Sequence, residues 1–320
     1  MKLQNLMMCI AVSGSVVAAA DPPPIIPPDV AVETVSTGGF SFTEGPALAP
    51  DGSIYFTDIP NNAIHRYDPA TGETTLFTDD SGGANGLAFL PDHGMLIACA
   101  GKARQVRYYP RTWDDEESRW TGLTQEPSLE DAVSHYKGKQ LNSPNDLVVT
   151  FNSIYFTDPR YGKRDDLELP SEAVFAMVPD AAEGAQGFRL VRVIDDLVRP
   201  NGIGISPDHQ TLYVNDNGDK KIWAYPIPEP TELGEARLLN DLADLGGPDG
   251  MTVGPRGRIY TTIYGKGVLI LSPQGERLGF LETGPQTTNC TFGADGRTLY
   301  VTAEKGLKRV TLNTGGPTEE

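Results

Sequence analysis

The sequence has little of what several enzyme and membrane classes require. It contains 3 cysteines and 4 histidines among 320 residues, and 26 basic against 43 acidic side chains give a net charge of −17. The shortage of cations disfavours nucleic acid or an anionic membrane surface as a partner. No serine, cysteine or histidine forms a persuasive catalytic-triad motif, which disfavours covalent catalysis. Long amphipathic helical patterns are also missing, so the 35 glycines and 26 prolines are expected to separate many short strands.

An apolar run near the N-terminus, residues 6–17, is too short to cross a membrane. With the small residues at 18–20, it makes residues 1–20 typical of an export signal, so we expect a periplasmic or secreted protein. Residues 21–29, DPPPIIPPD, predict a stiff proline-rich tether before a folded domain over 30–314 and a tail over 315–320. Without the signal, Cys99 and Cys290 remain in separate repeats, and we expect two buried, unpaired thiols.

A short pattern recurs six times along the chain. An acidic or amide residue precedes a short apolar run, a turn residue and a β-rich run, as in TEGPALAPDGSIYF from Thr43 to Phe56. Two further strand-like runs follow in most repeats, and residues 30–40 can supply an outer strand to the last one. The sequence therefore predicts an all-β fold, a six-bladed β-propeller. The marked residues, at intervals of about 40 to 60 residues, are Glu44, Asn85, Asn145, Asn201, Asp249 and either Thr288 or Asn289.

The marked residues predict a central metal site. The first strand of each propeller blade lines the central channel, so residues at one repeat position face one another in a ring. Carboxylates and amide carbonyls without thiolate or imidazole favour Ca²⁺ over zinc or copper. Because about six to eight oxygens usually surround Ca²⁺, water or substrate must complete the shell.

Two alternatives remain open at the level of sequence, and the direction of one further side chain is predicted. Asparagine and aspartate before glycine are common in turns, so the pairs beginning at Asn85, Asn201 and Asp249 could be simple β-turns. Strict counting places Thr288 in the ring, whereas a turn shortened by one residue places Asn289 there. Strand alternation is expected to point Asp146 away from the channel if Asn145 points into it.

Other segments suggest a binding surface around the site. The longest departure from the repeat, residues 103–140, is either a plain surface insertion or part of a binding face, and a short helix is expected over Ser128 to Tyr136. Within it, His135 is the histidine best placed for a pocket. Arg160 and Tyr161 could contact a sugar-acid hydroxyl or carboxylate, the alternative being a loop-stabilising arginine and a packed tyrosine.

Five motifs along the chain carry a family resemblance: FTEGP (42–46), NSPND (142–146), IYFTDPRYG (154–162), RPNG (199–202) and PDG (248–250). The chain resembles the gluconolactonase, senescence marker protein and regucalcin family of six-bladed calcium-dependent propellers over nearly all of residues 40–310. It departs from the cytosolic members in its export signal and in the insertion of its second repeat.

The resemblance implies a site and a reaction. The family's metal ligands fall on Glu44, Asn145, Asn201 and Asp249, and its usual candidate for general base falls on Asp249. Because a carboxylate that binds a divalent cation has a lowered pKa and is a weak base, metal-bound hydroxide is the alternative. Asn85 and the last ring residue, Asn289 or Thr288, would contact substrate or ordered water. The implied reaction is the hydrolysis of a lactone, a small-molecule substrate, with Ca²⁺ or another divalent cation as cofactor. A phosphotriesterase-like hydrolase on the same site and a non-catalytic, calcium-stabilised binding propeller are the alternative hypotheses.

Overall fold

Six antiparallel four-stranded sheets follow one another around a central channel, as the repeat predicts. The protein was analysed as a computed structural model, which describes residues 24–91, 94–114, 119–180 and 187–314. The predicted export signal and the C-terminal tail lie outside these residues, as does the beginning of the tether. None of the described residues belongs to a helix that is long and apolar enough to span a membrane.

The strands are assigned to blades in chain order, and the first strand of the chain belongs to the last blade. That strand is β1 (Glu33–Ser36). Blade 1 contains β2 (Thr43–Leu48), β3 (Ile54–Asp58), β4 (Ala63–Tyr67) and β5 (Thr74–Thr78). Blade 2 contains β6 (Ala84–Phe89), β7 (Leu96–Ala100), β8 (Gln105–Tyr109) and β11 (Ser128–Val133), with a hairpin of β9 (Arg111–Asp114) and β10 (Arg119–Leu123) between the last two. A two-stranded ribbon follows, β12 (His135–Tyr136) and β13 (Lys139–Gln140).

The remaining four blades are more regular. Blade 3 contains β14 (Leu147–Val149), β15 (Ile154–Asp158), β16 (Ala173–Pro179) and β17 (Phe188–Ile194). Blade 4 contains β18 (Pro200–Ile205), β19 (Thr211–Asp216), β20 (Lys221–Pro226) and β21 (Arg237–Asp241). Blade 5 contains β22 (Pro248–Val253), β23 (Ile259–Ile263), β24 (Gly267–Leu271) and β25 (Arg277–Glu282). Blade 6 contains β26 (Asn289–Phe292), β27 (Thr298–Ala303) and β28 (Gly306–Thr311), completed by β1.

The ring closes through the pairing of the first and last strands. β1 runs antiparallel to β28, and the ion pair between Glu33 and Arg309 spans the junction at 2.9 Å. The first strands of the six blades also contact one another in a closed circle around the channel. Residues 24–29 of the predicted tether lie against blade 6, where Ile25 and Ile26 pack on its apolar cluster. Closure leaves few sheet edges exposed, which suits a propeller.

Apolar side chains fill the space between neighbouring blades. The cluster between blades 2 and 3 contains Cys99, Phe156 and Phe175, and the one between blades 5 and 6 contains Cys290. Both thiols are buried and unpaired, which confirms that prediction. The core therefore lies between the sheets and leaves the channel for polar side chains.

The prediction of a short helix over Ser128 to Tyr136 is wrong. Ser128–Val133 form β11, the fourth strand of blade 2, paired with β8. Val133 packs against the apolar cluster between blades 2 and 3. Tertiary pairing outweighs the weak local helix preference of SLEDAV, because blade 2 needs an outer strand. The exposed His135, in the ribbon that follows, is outside the residues that line the central cavity.

Candidate active site and metal centre

A cavity of about 690 Å³ opens at one end of the central channel. Its walls come from the loops that precede the first strands and from the loops that join the second and third strands of the blades. Five of the ring residues predicted from the repeat line it: Glu44, Asn85, Asn145, Asn201 and Asp249. The fold therefore brings together the residues that the sequence pattern marks.

Glycine after the marked residue lets neighbouring first strands approach closely. A Cβ atom at Gly45 would collide with the carbonyl of Asn85, and one at Gly202 would collide with the carbonyl of Asp249. The pairs that begin at Asn85, Asn201 and Asp249 lie within β6, β18 and β22, so they are not β-turns. Each of these strands has a register irregularity next to the pair, and such bulges re-aim side chains beside functional sites.

Aspartates at the ends of the second strands hold three of the loops that precede the ring residues. Asp58 accepts the backbone N–H groups of residues 41 and 42, at 3.0 Å each to its nearer oxygen. Asp158 accepts those of residues 142 and 143 at 2.8 and 2.7 Å, and Asp216 accepts those of residues 198 and 199 at 3.1 and 2.9 Å. Each aspartate thus fixes the chain two residues before Glu44, Asn145 or Asn201. We call them the brace aspartates.

The residue before a brace aspartate links its blade to the next. Thr57 donates to the carbonyl of Asn85 at 3.0 Å, and Thr157 donates to the carbonyl of Asn201 at 2.8 Å. In blade 4 the corresponding Asn215 donates to the carbonyl of Asp249 at 2.7 Å. Neighbouring ring residues are therefore held by their backbone carbonyls, and these contacts do not use the side chains that line the cavity.

Glu44 and Asp249 are buried carboxylates that feel each other's charge. Burial raises the pKa of Glu44 to about 7, although the carboxylate accepts the N–H of Gly45 at 2.7 Å. Burial, and then the negative charge of Glu44, raises the pKa of Asp249 well above its usual range. Buried like charges are costly unless a cation compensates them. The electrostatics of the site therefore favour a bound cation.

Asp146 also faces the channel, so the expectation that it points away is wrong. Its Oδ2 accepts a hydrogen bond from Asn289 Nδ2 at 3.1 Å, and its pKa is raised well above the usual range by burial and by the charge of Glu44. Strand alternation does not apply there, because regular pairing in blade 3 begins only at Leu147. The sequence does contain a signal for Asp146, because this residue directly follows the marked residue, at a position that glycine occupies in four other blades.

Asn289, rather than Thr288, supplies the side chain that faces the channel from blade 6. The Thr288 hydroxyl is bound to the carbonyls of Thr43 and Thr302 at 2.8 and 3.1 Å. Asn289 and Asp146 line a smaller space of about 270 Å³ on the far side of the channel and do not line the main cavity. The predicted contact between Asn289 and substrate therefore has no support in the cavity lining.

Amide oxygens at the cavity floor have no hydrogen-bond partner among the residues that the structure describes. Within the described ranges, the side chains of Asn85 and Asn145 make no hydrogen bond. Asn201 uses its Nδ2 to donate to Asp249 Oδ1 at 2.8 Å and to the Tyr161 hydroxyl at 2.6 Å, which leaves its Oδ1 without a donor among these residues.

The carboxylate and amide oxygens of this site fit a hard divalent cation. Two carboxylates balance its charge, and the amide oxygens add neutral ligands of the kind that Ca²⁺ accepts. Among the residues that the structure describes, no three histidine, cysteine, aspartate or glutamate side chains form a metal-binding group by themselves. A site there with three or more side-chain ligands would therefore need amide oxygens, such as those of Asn145 and Asn201.

Arg160 and Tyr161 lie in different surroundings, and only Tyr161 lines the cavity. Tyr161 lines the cavity with its side chain partly exposed, and its ring lies 5.1 Å from the Arg199 guanidinium. Desolvation at the cavity raises the pKa of Tyr161, so the hydroxyl remains protonated. Arg160 is not among the lining residues. Its guanidinium instead donates to the carbonyl of Asn142 at 2.8 Å and pairs with Asp166, contacts that fit a loop-stabilising arginine.

Comparison with known proteins agrees with the fold and the motifs. A family model described as SMP-30/Gluconolactonase/LRE-like region matches residues 42–305. The chain belongs to this family. A gluconolactonase of Zymomonas mobilis subsp. mobilis is 31% identical over 313 residues, covering 88% of this chain and 82% of that protein.

Solved structures of the family share the propeller. A gluconolactonase from Xanthomonas campestris matches with a TM-score of 0.74 and 28% identity, covering 91% of this chain and 95% of that one. A calcium-binding regucalcin from Agrobacterium tumefaciens matches with a TM-score of 0.63 and 20% identity, covering 88% of this chain and 93% of that one. At that identity, the regucalcin shows the common fold alone.

Proposed function

We propose that this member of the family is a divalent-metal-dependent lactone hydrolase that works with Ca²⁺. The observation that carries the proposal is the convergence of Glu44, Asn145, Asn201 and Asp249 at the floor of one cavity, with amide oxygens that no other described residue satisfies. The similarity to a gluconolactonase over most of both chains supports a sugar-acid lactone as the substrate class.

Glu44, Asn145, Asn201 and Asp249 are the proposed ligands. A divalent cation bound there supplies Lewis-acid polarisation of the lactone carbonyl and stabilises negative charge on its oxygen. The protein fixes where each of these side chains lies, because the brace aspartates and the backbone links between blades hold the ring in place independently of the cation.

Asp249 is the proposed general base. Its Oδ1 accepts the N–H of Asn201, whereas its Oδ2 has no hydrogen bond within the described residues, so Oδ2 is free to take a proton from an attacking water. The amide of Asn201 holds the carboxylate in one orientation. The Tyr161 hydroxyl, which accepts from the same amide, keeps its own proton to donate to a substrate oxygen.

Asn85 is proposed to bind substrate, because its side-chain amide lines the cavity without a partner among the described residues. We also propose that the protein is exported, on the composition of residues 1–20. An exported lactonase would meet lactones outside the cytoplasm.

A lactone panel tests the proposed function. Purified protein is stripped of metal with a chelator and assayed on glucono-1,5-lactone, pentonolactones, acyl lactones and a phosphotriester, alone and with Ca²⁺, Mg²⁺, Mn²⁺ or Zn²⁺ restored. Hydrolysis of aldonolactones that disappears on chelation and returns with Ca²⁺ is the expected result. Turnover of the phosphotriester alone would overturn the proposal, and metal-dependent stabilisation without turnover would favour a binding propeller.

A further inference from the structure

Two lysines at the cavity mouth make no ion pair with the described residues. Lys102 and Lys220 both line the cavity, and both are exposed. Neither has a carboxylate within 4.0 Å in the described part of the chain, whereas the neighbouring Lys221 pairs with Asp219 at 3.3 Å. In a chain of net charge −17, two lysines without a carboxylate partner make the mouth of this cavity locally cationic.

The two lysines occupy fixed positions on neighbouring walls. Lys102 follows Gly101, whose N–H donates to the carbonyl of Gly83 at 3.1 Å, and the side-chain stem packs so closely on Gly83 that no Cβ would fit there. Lys220 ends the tight turn after Asp216, and its carbonyl accepts the N–H of Leu242 at 2.8 Å. The loops come from blades 2 and 4, on either side of blade 3, which contributes Tyr161.

The rest of the mouth has a different character. Phe42, Ile59, Pro60 and Tyr264 form an apolar wall from blades 1 and 5, with the Phe42 and Tyr264 rings 6.5 Å apart. The carboxylates among the described lining residues, Glu44 and Asp249, lie at the floor, where a divalent cation would balance them. The cavity therefore offers a metal-binding floor, an apolar wall and a cationic side.

We propose that the substrate is a lactone that carries a second, anionic group, such as a phosphate, sulfonate or carboxylate, which Lys102 and Lys220 bind while the ester lies at the floor. This inference rests on the proposed lactonase function and narrows its substrate class. Lysine is a point charge that attracts any of these anions, so the site selects for charge rather than for one group. A neutral aldonolactone would be a weaker substrate.

A matched pair of substrates tests the inference. Glucono-1,5-lactone and its 6-phosphate share the ring and the scissile ester, so they differ only in the anion. We expect a kcat/KM about 10-fold higher for the phosphate at low salt, a preference that shrinks as ionic strength rises. The variants are Lys102→Met and Lys220→Asn, the latter because Lys220 has φ 56°, a conformation that asparagine tolerates.

The double variant should raise KM for the phosphate about 10-fold and change KM for the neutral lactone less than about twofold. Lys102→Arg should keep the preference. Lys266→Met is the control, because Lys266 is exposed on the corresponding loop of blade 5 but does not line the cavity. Equal kinetics on the two lactones, or equal loss on both in the double variant, would overturn the inference and leave the lactonase proposal standing. Failure to hydrolyse either lactone would overturn the lactonase proposal.

Discussion

Blades 1, 3 and 4 differ from blades 2, 5 and 6 in how the second strand ends. In the first group it ends with a brace aspartate, whereas Ala100 and Ile263 occupy the corresponding register positions in blades 2 and 5. The braced blades carry Glu44, Asn145 and Asn201. The fourth proposed ligand, Asp249, is braced from outside its own blade, because Asn215 and Asn217 of blade 4 hold the carbonyls of Asp249 and Pro248.

The difference indicates that the proposed metal centre needs loop positions that the repeat alone does not fix. A first strand that only lines the channel can do without a brace aspartate, as in blades 2 and 6. A residue that is to bind one ion together with others also needs the chain segment that leads to it held in place. Hydrogen bonds outside the ligand shell hold that segment. The braced blades are therefore the ones where a small change should disturb chemistry more than stability.

The largest effect is expected at the proposed ligands. Glu44→Gln and Asp249→Asn keep the shape of the side chain and remove one charge each, so they should lower kcat/KM for lactone hydrolysis by about 100-fold or more. Asp208→Asn, in a turn at the opposite end of blade 4, is the control and should stay close to wild type. Variants within threefold of wild type would contradict the assignment of the site.

Calcium should stabilise the braced blades in particular. A ligand that binds only the folded state adds about 2.7 kcal/mol to the free energy of unfolding when its free concentration is 100 times Kd. Thermal unfolding should therefore shift upward with Ca²⁺ in the wild type and not in Glu44→Gln. Hydrogen exchange should slow over residues 41–44, 142–145 and 198–201, with less change over 284–288 of blade 6. Uniform slowing of all six blades would contradict local binding.

A brace aspartate should act on metal affinity without touching the metal. Asp216→Asn keeps one acceptor oxygen but loses the charge that binds four backbone N–H groups, so we expect about 10-fold weaker Ca²⁺ binding by calorimetry. Asp295→Asn is the matched control. Asp295 also accepts backbone N–H groups, from residues 297 and 298, but in a turn of blade 6. Equal losses of affinity in the two variants would indicate a general effect on stability instead.

The smallest effect is expected at Tyr161. Tyr161→Phe removes the hydroxyl that accepts from Asn201 and should lower kcat/KM by about 3- to 10-fold, with little change in Ca²⁺ affinity. Arg160→Lys, one residue away but outside the cavity lining, should change stability more than kcat/KM. Steady-state kinetics and thermal unfolding of both variants separate the two roles, and the reverse pattern would contradict them.

Much of the fold could be predicted from the sequence because the repeat fixes it. The six blades, the closure by a strand from residues 30–40 and the ring of Glu44, Asn85, Asn145, Asn201 and Asp249 all follow from one position recurring in register, and the structure confirms them. That ring position says where a side chain lies but does not show whether it binds a metal. The ligand roles remain predictions.

The rest depended on local departures from regular structure. Asp146 was missed because alternation fails where the first strand of blade 3 begins late, and the helix at 128–136 was wrong because pairing with β8 decides that segment. The brace aspartates could have been found from the sequence, because two of them end the same short motif. The hexapeptide SIYFTD occurs at residues 53–58 and again at 153–158, where it ends the strand that follows its repeat's marker, just ahead of a loop.

The position of a bound cation tests the central claim most directly. Crystals grown with Ca²⁺, and a second set with Mn²⁺ for its anomalous signal, would locate the ion. We predict one peak at the cavity floor, with oxygens of Glu44, Asn145, Asn201 and Asp249 at about 2.3–2.6 Å from Ca²⁺. A floor without a peak at saturating metal, or an ion held by other residues, would contradict the account.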